Sequence, residues 1–567
     1  MRVGTLVTTT RVVRAWILAL AACSVGCSGI EESPIRFEDL TEASALDFQY
    51  FNGMTGRMTF VEIAGGGVAT LDYDRDGDMD VYLVQGQHIH NQSDASLTDR
   101  LFRNDSDGPG SIPLVDVTES SGVTASGYGM GVAVGDINND GWPDLYLTNW
   151  GRNQLWVNNG DGTFSELGQP ELPDESRWSV AAAFLDFDRD GWQDIVVANY
   201  VDYTLDTDHP CTSAVSGRRD YCGPKSYRPV SNTLLRNMGD GSLKDVTYER
   251  GLGGAASASM GIAVSDFDHN GWTDIYVAND GSDNRLWMNT DGVFRDEAVR
   301  RGAAVNMRGV PEASMGVAVA DFDGDTDSDL FLTHLNGETN TLYLNDGEGY
   351  FDDASRQSQA GSQSIPYTSF GVVSRDFDLD GWVDLFVANG DVRILAEQVD
   401  AGDPFPLRQP NQLFRNGPAG LVELEGWIED GASEVSRGVA AADLDNDGLV
   451  DLVISNNSGP AQVLRNTSRR DFSWAGVQLE DPAGSAATGA EVHLSQGTSS
   501  KMAIFRSDGG YASSSDPRLV FGLVRDSPAN VRVIWPDGLE ETWTLESTNN
   551  YVILQKGNGT IVPGAHQ

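Results

Sequence analysis

The stretch FLDFDRDGWQDIVVANY, residues 184–200, sets Asp186, Asp188 and Asp190 on alternate positions, then Gly191, then Asp194 where an apolar run begins. Counted from Asp186, aspartate holds positions one, three, five and nine, and glycine holds position six. Six more copies keep this register: LDYDRDGDMDVYLV from Leu71, GDINNDGWPDLYLTN from Gly135, SDFDHNGWTDIYVAN from Ser265, ADFDGDTDSDLFLTH from Ala320, RDFDLDGWVDLFVAN from Arg375 and ADLDNDGLVDLVISN from Ala442. Carboxylates crowded into one turn repel, since two unit charges 4 Å apart cost about 4 kcal/mol at an effective dielectric of 20. Seven such turns are incomplete without cations.

The first aspartates fall at 72, 136, 186, 266, 321, 376 and 443, and the longer intervals between them contain insertions. Small or alternating residues lead into each loop (GVAVGD, GIAVSD, GVAVAD), and β-branched and aromatic residues lead out (DLYLTN, DIYVAN). A third strand follows (NQLWVNN, NRLWMN, NTLYLN, NQLFRN), then glycine-rich hairpins such as NNGDGTF and NMGDGSL, then a fourth strand (FSEL, LKDVT, FDDAS). Four strands per unit, repeated radially without a helical period, predict an all-β, seven-bladed β-propeller. FEDLTEASAL, from Phe37, copies the fourth-strand pattern but precedes the first loop, and the last repeat has no obvious fourth strand of its own. The N-terminal strand is therefore expected to complete the last blade. Gly131, Gly261, Gly316, Gly371 and Gly438 in the lead-in strands place those strands at the crowded axis.

Alternating oxygen donors around a tight turn suit Ca²⁺, which accepts six to eight oxygens in flexible geometry. The expected ligands are Asp72, Asp74, Asp76 and Asp80; Asp136, Asn138, Asp140 and Asp144; Asp186, Asp188, Asp190 and Asp194; Asp266, Asp268, Asn270 and Asp274. Asp321, Asp323, Asp325 and Asp329; Asp376, Asp378, Asp380 and Asp384; and Asp443, Asp445, Asp447 and Asp451 complete the set. Position seven donates a backbone carbonyl, so Asp78, Trp142, Trp192, Trp272, Asp327, Trp382 and Leu449 can differ in side chain. Position six must turn sharply, and the fifth loop carries Thr326 there, which marks it as the weakest site. Seven Ca²⁺ ions would carry fourteen positive charges and bring the formal balance from -46 to -32. At ten times a Kd of 10⁻⁴ to 10⁻³ M each ion adds about 1.4 kcal/mol, so seven add about 10.

The chain has 567 residues, 40% of them hydrophobic, enough for more than one packed domain. A net charge of -46 repels nucleic-acid phosphates and anionic lipid head groups and favours cationic partners. Residues 1–22 have the basic, apolar and small-residue order of a secretory leader. Leu20-Ala21-Ala22-Cys23 resembles the bacterial lipobox, which implies lipidation of Cys23. Ser24 beside it resembles the pattern of an outer-membrane lipoprotein, periplasmic or surface-facing. The alternative is an ordinary signal peptide releasing a soluble protein. Cys211 and Cys222 are expected to form a disulfide in an oxidising compartment, with two free thiols as the alternative. The organisation is then a leader (1–22), a tether (23–36), a propeller (37–470) with a stapled insertion at about 201–230, a small β-rich domain (471–556) and a tail (557–567).

The loops, together with hairpins of the form NxLxxNxGDGxF, resemble FG-GAP or VCBS-type repeats, as in the propeller of integrin α subunits. Beyond them, Gly489-Ala490, Gly509-Gly510-Tyr511, Phe521-Gly522-Leu523 and Trp535-Pro536-Asp537-Gly538 resemble the ASPIC/UnbV domain, with Glu491 where a basic residue is expected. CTSAVSGRRDYCGP resembles the insertion of bacterial proteins similar to the cartilage acidic protein family. The resemblance implies calcium binding and an extracytoplasmic location, without an agreed activity.

His88 and His90 could ligate a metal, but no third ligand is evident, and the Gly-x-Ser-x-Gly, Ser-x-x-Lys and His-Glu-x-x-His patterns are missing. The leading functional expectation is a non-enzymatic, lipid-anchored scaffold that recognises a protein or glycan, with the membrane reached only through the anchor. A lectin, drawing on loop aromatics such as Trp150 and Tyr200, is the first alternative, and a polysaccharide-active enzyme the second.

Overall fold

The computed structural model describes Met1 and residues 33–90, 94–168, 176–213, 217–429, 431–469, 472–524, 527–545 and 548–562. The expected leader beyond Met1, Cys23 and most of the tether lie outside the described residues.

Each aspartate loop joins two antiparallel strands, and two further strands complete a blade. In the fourth blade these are Ser259–Ser265, Asp274–Asn279, Arg285–Thr290 and Val293–Asp296, hydrogen-bonded in that order. The register pairs Ser265 with Asp274, so the loop is pinned by the residue before its first position and by its ninth. The second strand, DIYVAN, is buried along its whole length because neighbouring blades cover both of its faces. Every joint between blades has its own apolar core. Phe187, Val196, Ile262 and Trp287 fill the joint between blades three and four, for example. The joint between blades seven and one closes the ring with Val81, Ala440, Val453 and Val463. As expected, the N-terminal strand Phe37–Asp39 is the outermost strand of the seventh blade, with Phe37 opposite Asn466. The protein is a seven-bladed β-propeller.

Cys211 and Cys222 are joined in a disulfide that staples the insertion between the second and third strands of blade three.

From Ser473 onward the chain forms a sheet of three strands and a sheet of five around Val477, Val492, Phe521, Val531 and Trp535. The strand Thr560–Ile561 pairs with Glu541–Thr542, inside the stretch read from sequence as tail. Between Phe505 and Leu519 this domain sends a loop down the propeller axis. Val317 donates to the Gly510 carbonyl (3.0 Å), Val132 to that of Ala512 (3.1 Å) and Thr70 to that of Ser514 (3.1 Å), while Tyr511 is fully buried. The inner strands must be small to admit it: a Cβ on Gly67 would stand 1.7 Å from the Ala512 oxygen, and one on Gly131 2.8 Å from it. Gly509 and Gly510, with φ +120° and +69°, form the turn at the tip of this plug.

The same domain rests on the aspartate loops. Arg518 donates to the carbonyls of Asp443 (3.2 Å) and Gly77 (3.1 Å), Tyr551 Oη donates to Asp443 Oδ2 (2.8 Å), and Arg75 pairs with Glu480 (3.2 Å). The loop face is thus partly covered from within the chain.

Candidate metal centres

The ninth aspartates form the floor of each loop. Asp80, Asp144, Asp194, Asp274, Asp329, Asp384 and Asp451 are all buried. In each, Oδ2 accepts the N–H of position two at 2.8–3.2 Å. Oδ1 accepts the N–H of an asparagine ending the third strand at 2.7–2.8 Å. That asparagine then donates its side-chain amide to the position-two carbonyl of the preceding blade. The bonds run Asn104 to Leu444, Asn158 to Tyr73, Asn237 to Ile137, Asn289 to Phe187, Asn345 to Phe267, Asn416 to Phe322 and Asn466 to Phe377. Every loop is therefore stapled to its own third strand and to the blade before it. Burial pushes these carboxyls upward, to about 8 for Asp194 and Asp329.

Above the floor, backbone N–H groups order the remaining donors. Except in loop six, where Asp376 accepts from Gly381 (2.8 Å) and the Asp380 N–H turns to Asp378 (3.3 Å), the first aspartate accepts from positions five and six, as Asp72 does from Asp76 and Gly77 (both 3.1 Å) and Asp186 from Asp190 (3.1 Å) and Gly191 (3.0 Å). Position five accepts from position seven in all seven loops, at 2.7–3.0 Å. Burial outweighs these bonds and pushes Asp72, Asp186, Asp266 and Asp321 to about 6, and Asp376 and Asp443 to about 7.

Oxygens left over at the centre test the fit of a cation. Asp74 Oδ1, Asp188 Oδ1, Asp268 Oδ1, Asp376 Oδ1 and Asp445 Oδ1 are buried with no hydrogen-bond partner. A buried carboxylate oxygen without a partner is costly, and a hard cation removes that cost. One oxygen each from Asp72, Asp74 and Asp80 lie within 4.8 Å of one another, as do those of Asp186, Asp188 and Asp194, of Asp266, Asp268 and Asp274, and of Asp321, Asp323 and Asp325. That spread suits ligands about 2.3–2.6 Å from one Ca²⁺. The residues fit the ion, which would neutralise the carboxylates that burial disfavours.

Loop two departs in detail, because Asn138 turns its amide onto Asp140 Oδ2 (2.8 Å). In loop four, Asn270 donates to the Asn289 carbonyl (3.2 Å). In loops three and six an arginine from the third strand meets the outer oxygens: Arg236 with Asp188 (2.6 Å) and Asp190 (2.8 Å), and Arg415 with Asp378 (2.7 Å) and Asp380 (2.6 Å). Sequence reasoning passed over these arginines, although LLRN and LFRN place them beside the stapling asparagine.

It also passed over position four, which is left-handed in every loop: Arg75, Asn139, Arg189, His269, Gly324, Leu379 and Asn446 have φ between +52° and +83°. The conformation throws the side chain toward the next loop. Arg75 stacks over Trp142 (5.7 Å) and Arg189 over Trp272 (4.6 Å), Asn139 donates to the Gly191 carbonyl (2.7 Å), and His269 meets Asp327 (3.2 Å). Leu379 packs with Leu449, and Asn446 donates to Asp78 Oδ1 (2.6 Å), closing the circle. Loop five exchanges the usual residues, with Gly324 at position four and Thr326 at position six, where Thr326 holds φ +78°. The strained position lies where the sequence reading put it, and the Thr326 N–H still reaches Asp321 Oδ2 (3.0 Å).

Glu491, the departure noted in the C-terminal domain, lies against His269 (3.7 Å) and His493 (3.4 Å). Burial alone would raise its carboxyl, but the two imidazoles outweigh it and hold it at about 2. His88 packs on Phe51 (4.8 Å) and His90 meets Thr59 Oγ1 (3.2 Å), so the two histidines have separate contacts. Trp150 is half-buried against Tyr128 and Tyr203, and Tyr200 is buried, so neither is the exposed loop aromatic that a lectin reading drew on.

The fold and its loops define a propeller built from seven aspartate-loop repeats. The FG-GAP-like repeat model matches residues 72–147, 136–197, 266–332, 321–387 and 376–454, together more than half of the chain, and the ASPIC and UnbV model matches residues 481–561. The chain belongs to the FG-GAP-like repeat family and carries an ASPIC/UnbV domain. It is similar to cartilage acidic protein 1 of Homo sapiens, 26% identical over 480 residues, covering 83% of this chain and 60% of that protein. Against the Xenopus tropicalis protein it is 26% identical over 511 residues, covering 83% and 70%. The chain thus spans roughly 60–70% of the length of these relatives. Among solved structures it aligns with an Agrocybe aegerita lectin that recognises non-reducing terminal N-acetylglucosamine (TM-score 0.36, 15% identity, 70% of this chain and 94% of that one). It also aligns with BBS1N in complex with ARL6DN (TM-score 0.42, 10% identity, 78% and 98%). Family and disulfide are those of an exported or extracellular protein.

Proposed function

We propose that the protein is a calcium-loaded, non-enzymatic recognition scaffold, exported and held at the bacterial outer membrane by a lipid on Cys23. The observation that carries the calcium reading is the set of buried loop oxygens without partners, four at position three and one, of Asp376, at position one, each surrounded by donors that backbone N–H groups already hold in place. Ca²⁺ in each loop would stiffen the ring at the points where adjacent blades touch, and the partner would be a protein or a glycan. The plug and the C-terminal domain cover the axis and part of the loop face, so recognition falls to the opposite mouth and the outer rims of the blades. Thermal denaturation of chelator-stripped protein, titrated separately with Ca²⁺ and Mg²⁺, tests the calcium reading. Ca²⁺ should raise the melting temperature well above the value with Mg²⁺; an unchanged melting temperature would rule it out.

A further inference from the structure

Opposite the aspartate loops, at the other mouth of the axis, lies a cavity of about 320 Å³. The residues that open the inner strands of blades three to six, Trp178, Met260, Met315 and Phe370, line it together with Phe60 and the disulfide-stapled insertion. Phe60, Trp178 and Tyr200 form a continuous aromatic wall, with ring centroids 5.1 Å apart for Phe60–Trp178 and for Trp178–Tyr200. Trp178, 2% exposed, anchors this wall in the core beneath the cavity. Tyr200 Oη donates to Asp280 Oδ2 (2.5 Å), which fixes that carboxylate in the wall. Glu338, Lys225 and Arg393 also line the cavity.

These groups select a ligand by elimination. The whole chain carries -46, which disfavours an anion. Lys225 and Arg393 balance Asp280 and Glu338 within the cavity, which removes the field that would draw in a cation. What remains is a neutral group able to donate to the carboxylates and accept from Lys225 and Arg393 while packing against the apolar wall. A hydroxyl both donates and accepts, and a sugar ring combines several hydroxyls with an apolar C–H face. The volume, at the lower end for small-molecule sites, suits one or two rings. We propose that this cavity binds a neutral pyranose, either free or as the terminal residue of a glycan. The assignment rests on the recognition reading above and narrows it to a ligand class, but it does not depend on where the calcium sits.

The test uses the full chain loaded with Ca²⁺. Calorimetry and saturation-transfer NMR against methyl pyranosides of glucose, galactose, mannose and N-acetylglucosamine should find saturable binding to at least one, with Kd of about 1 mM. Glu338→Gln and Asp280→Asn each keep the size of the side chain but remove its charge. Each should weaken binding at least tenfold while the melting temperature with Ca²⁺ stays near that of the wild type. A glycan array then separates the two sources: tighter binding to displayed termini assigns the glycan, and equal binding assigns the free sugar. Failure of every pyranoside, binding that both variants leave intact, or preferential uptake of tetramethylammonium would overturn the assignment. Because Ca²⁺ stabilisation is read in the same samples, loss of sugar binding alone leaves the calcium reading standing.

Discussion

At the aspartate-loop end of the ring the same parts recur seven times: one carboxylate on the floor, one asparagine staple, one left-handed residue at position four, whose side chain reaches the next loop everywhere but at Gly324. At the opposite mouth the walls vary. A tryptophan, two methionines and a phenylalanine open four successive inner strands there, under the disulfide-stapled insertion of blade three. The two ends answer to different demands. The repeated end must keep seven like charges-bearing turns in register, so the same hydrogen bonds recur wherever the same repulsion recurs. The mouth has no such constraint, and its side chains are free to fit something from outside the chain.

Removal of calcium probes the repeated end with the largest expected effect. Chelation should cost about 10 kcal/mol in total if the sites have extracellular-type affinity, seen as collapse of the cooperative melt. Opening the disulfide probes the other end. Replacing Cys211 and Cys222 by serine should cost about 3 kcal/mol by the chain-entropy relation, without changing the number of ions bound. Asn237→Ala removes one staple and leaves the buried Ile137 carbonyl without its partner, for a loss of about 1–3 kcal/mol in denaturant titration, with or without calcium. The smallest effect should be a gain: Thr326→Gly relieves a left-handed β-branched residue and should stabilise the protein by about 1 kcal/mol while tightening the fifth site.

Repetition also governs what could be read from sequence. Seven loops in one register made the blade count, the strand order and the N-terminal closure legible, because each copy repeats the same alternation of buried and turning positions. The asparagine staple was equally repeated, yet in the pattern it stood as a strand residue; its amide acts across the joint to another blade, and spacing within one repeat carries no trace of that. Position four was hidden for the opposite reason. Arg75, Asn139, His269 and Leu379 share a backbone conformation but no chemistry, and only glycine advertises a positive φ. The plug occurs once, and its Gly509-Gly510 turn and serines have no periodicity to reveal that they bind inner strands hundreds of residues away. The mouth gathers Phe60, Trp178, Tyr200 and Asp280 from separate stretches, so only the closed ring brings them together.

Counting ions on the intact protein by native mass spectrometry is the most direct test of the calcium account. Stripped protein returned to millimolar Ca²⁺ should take up seven ions, the fifth-loop ion leaving first on dilution, and Asp74→Ala should take up one fewer. Stripped protein that takes up none, yet melts as the untreated protein does, would show that the protein's own hydrogen bonds hold these turns without metal.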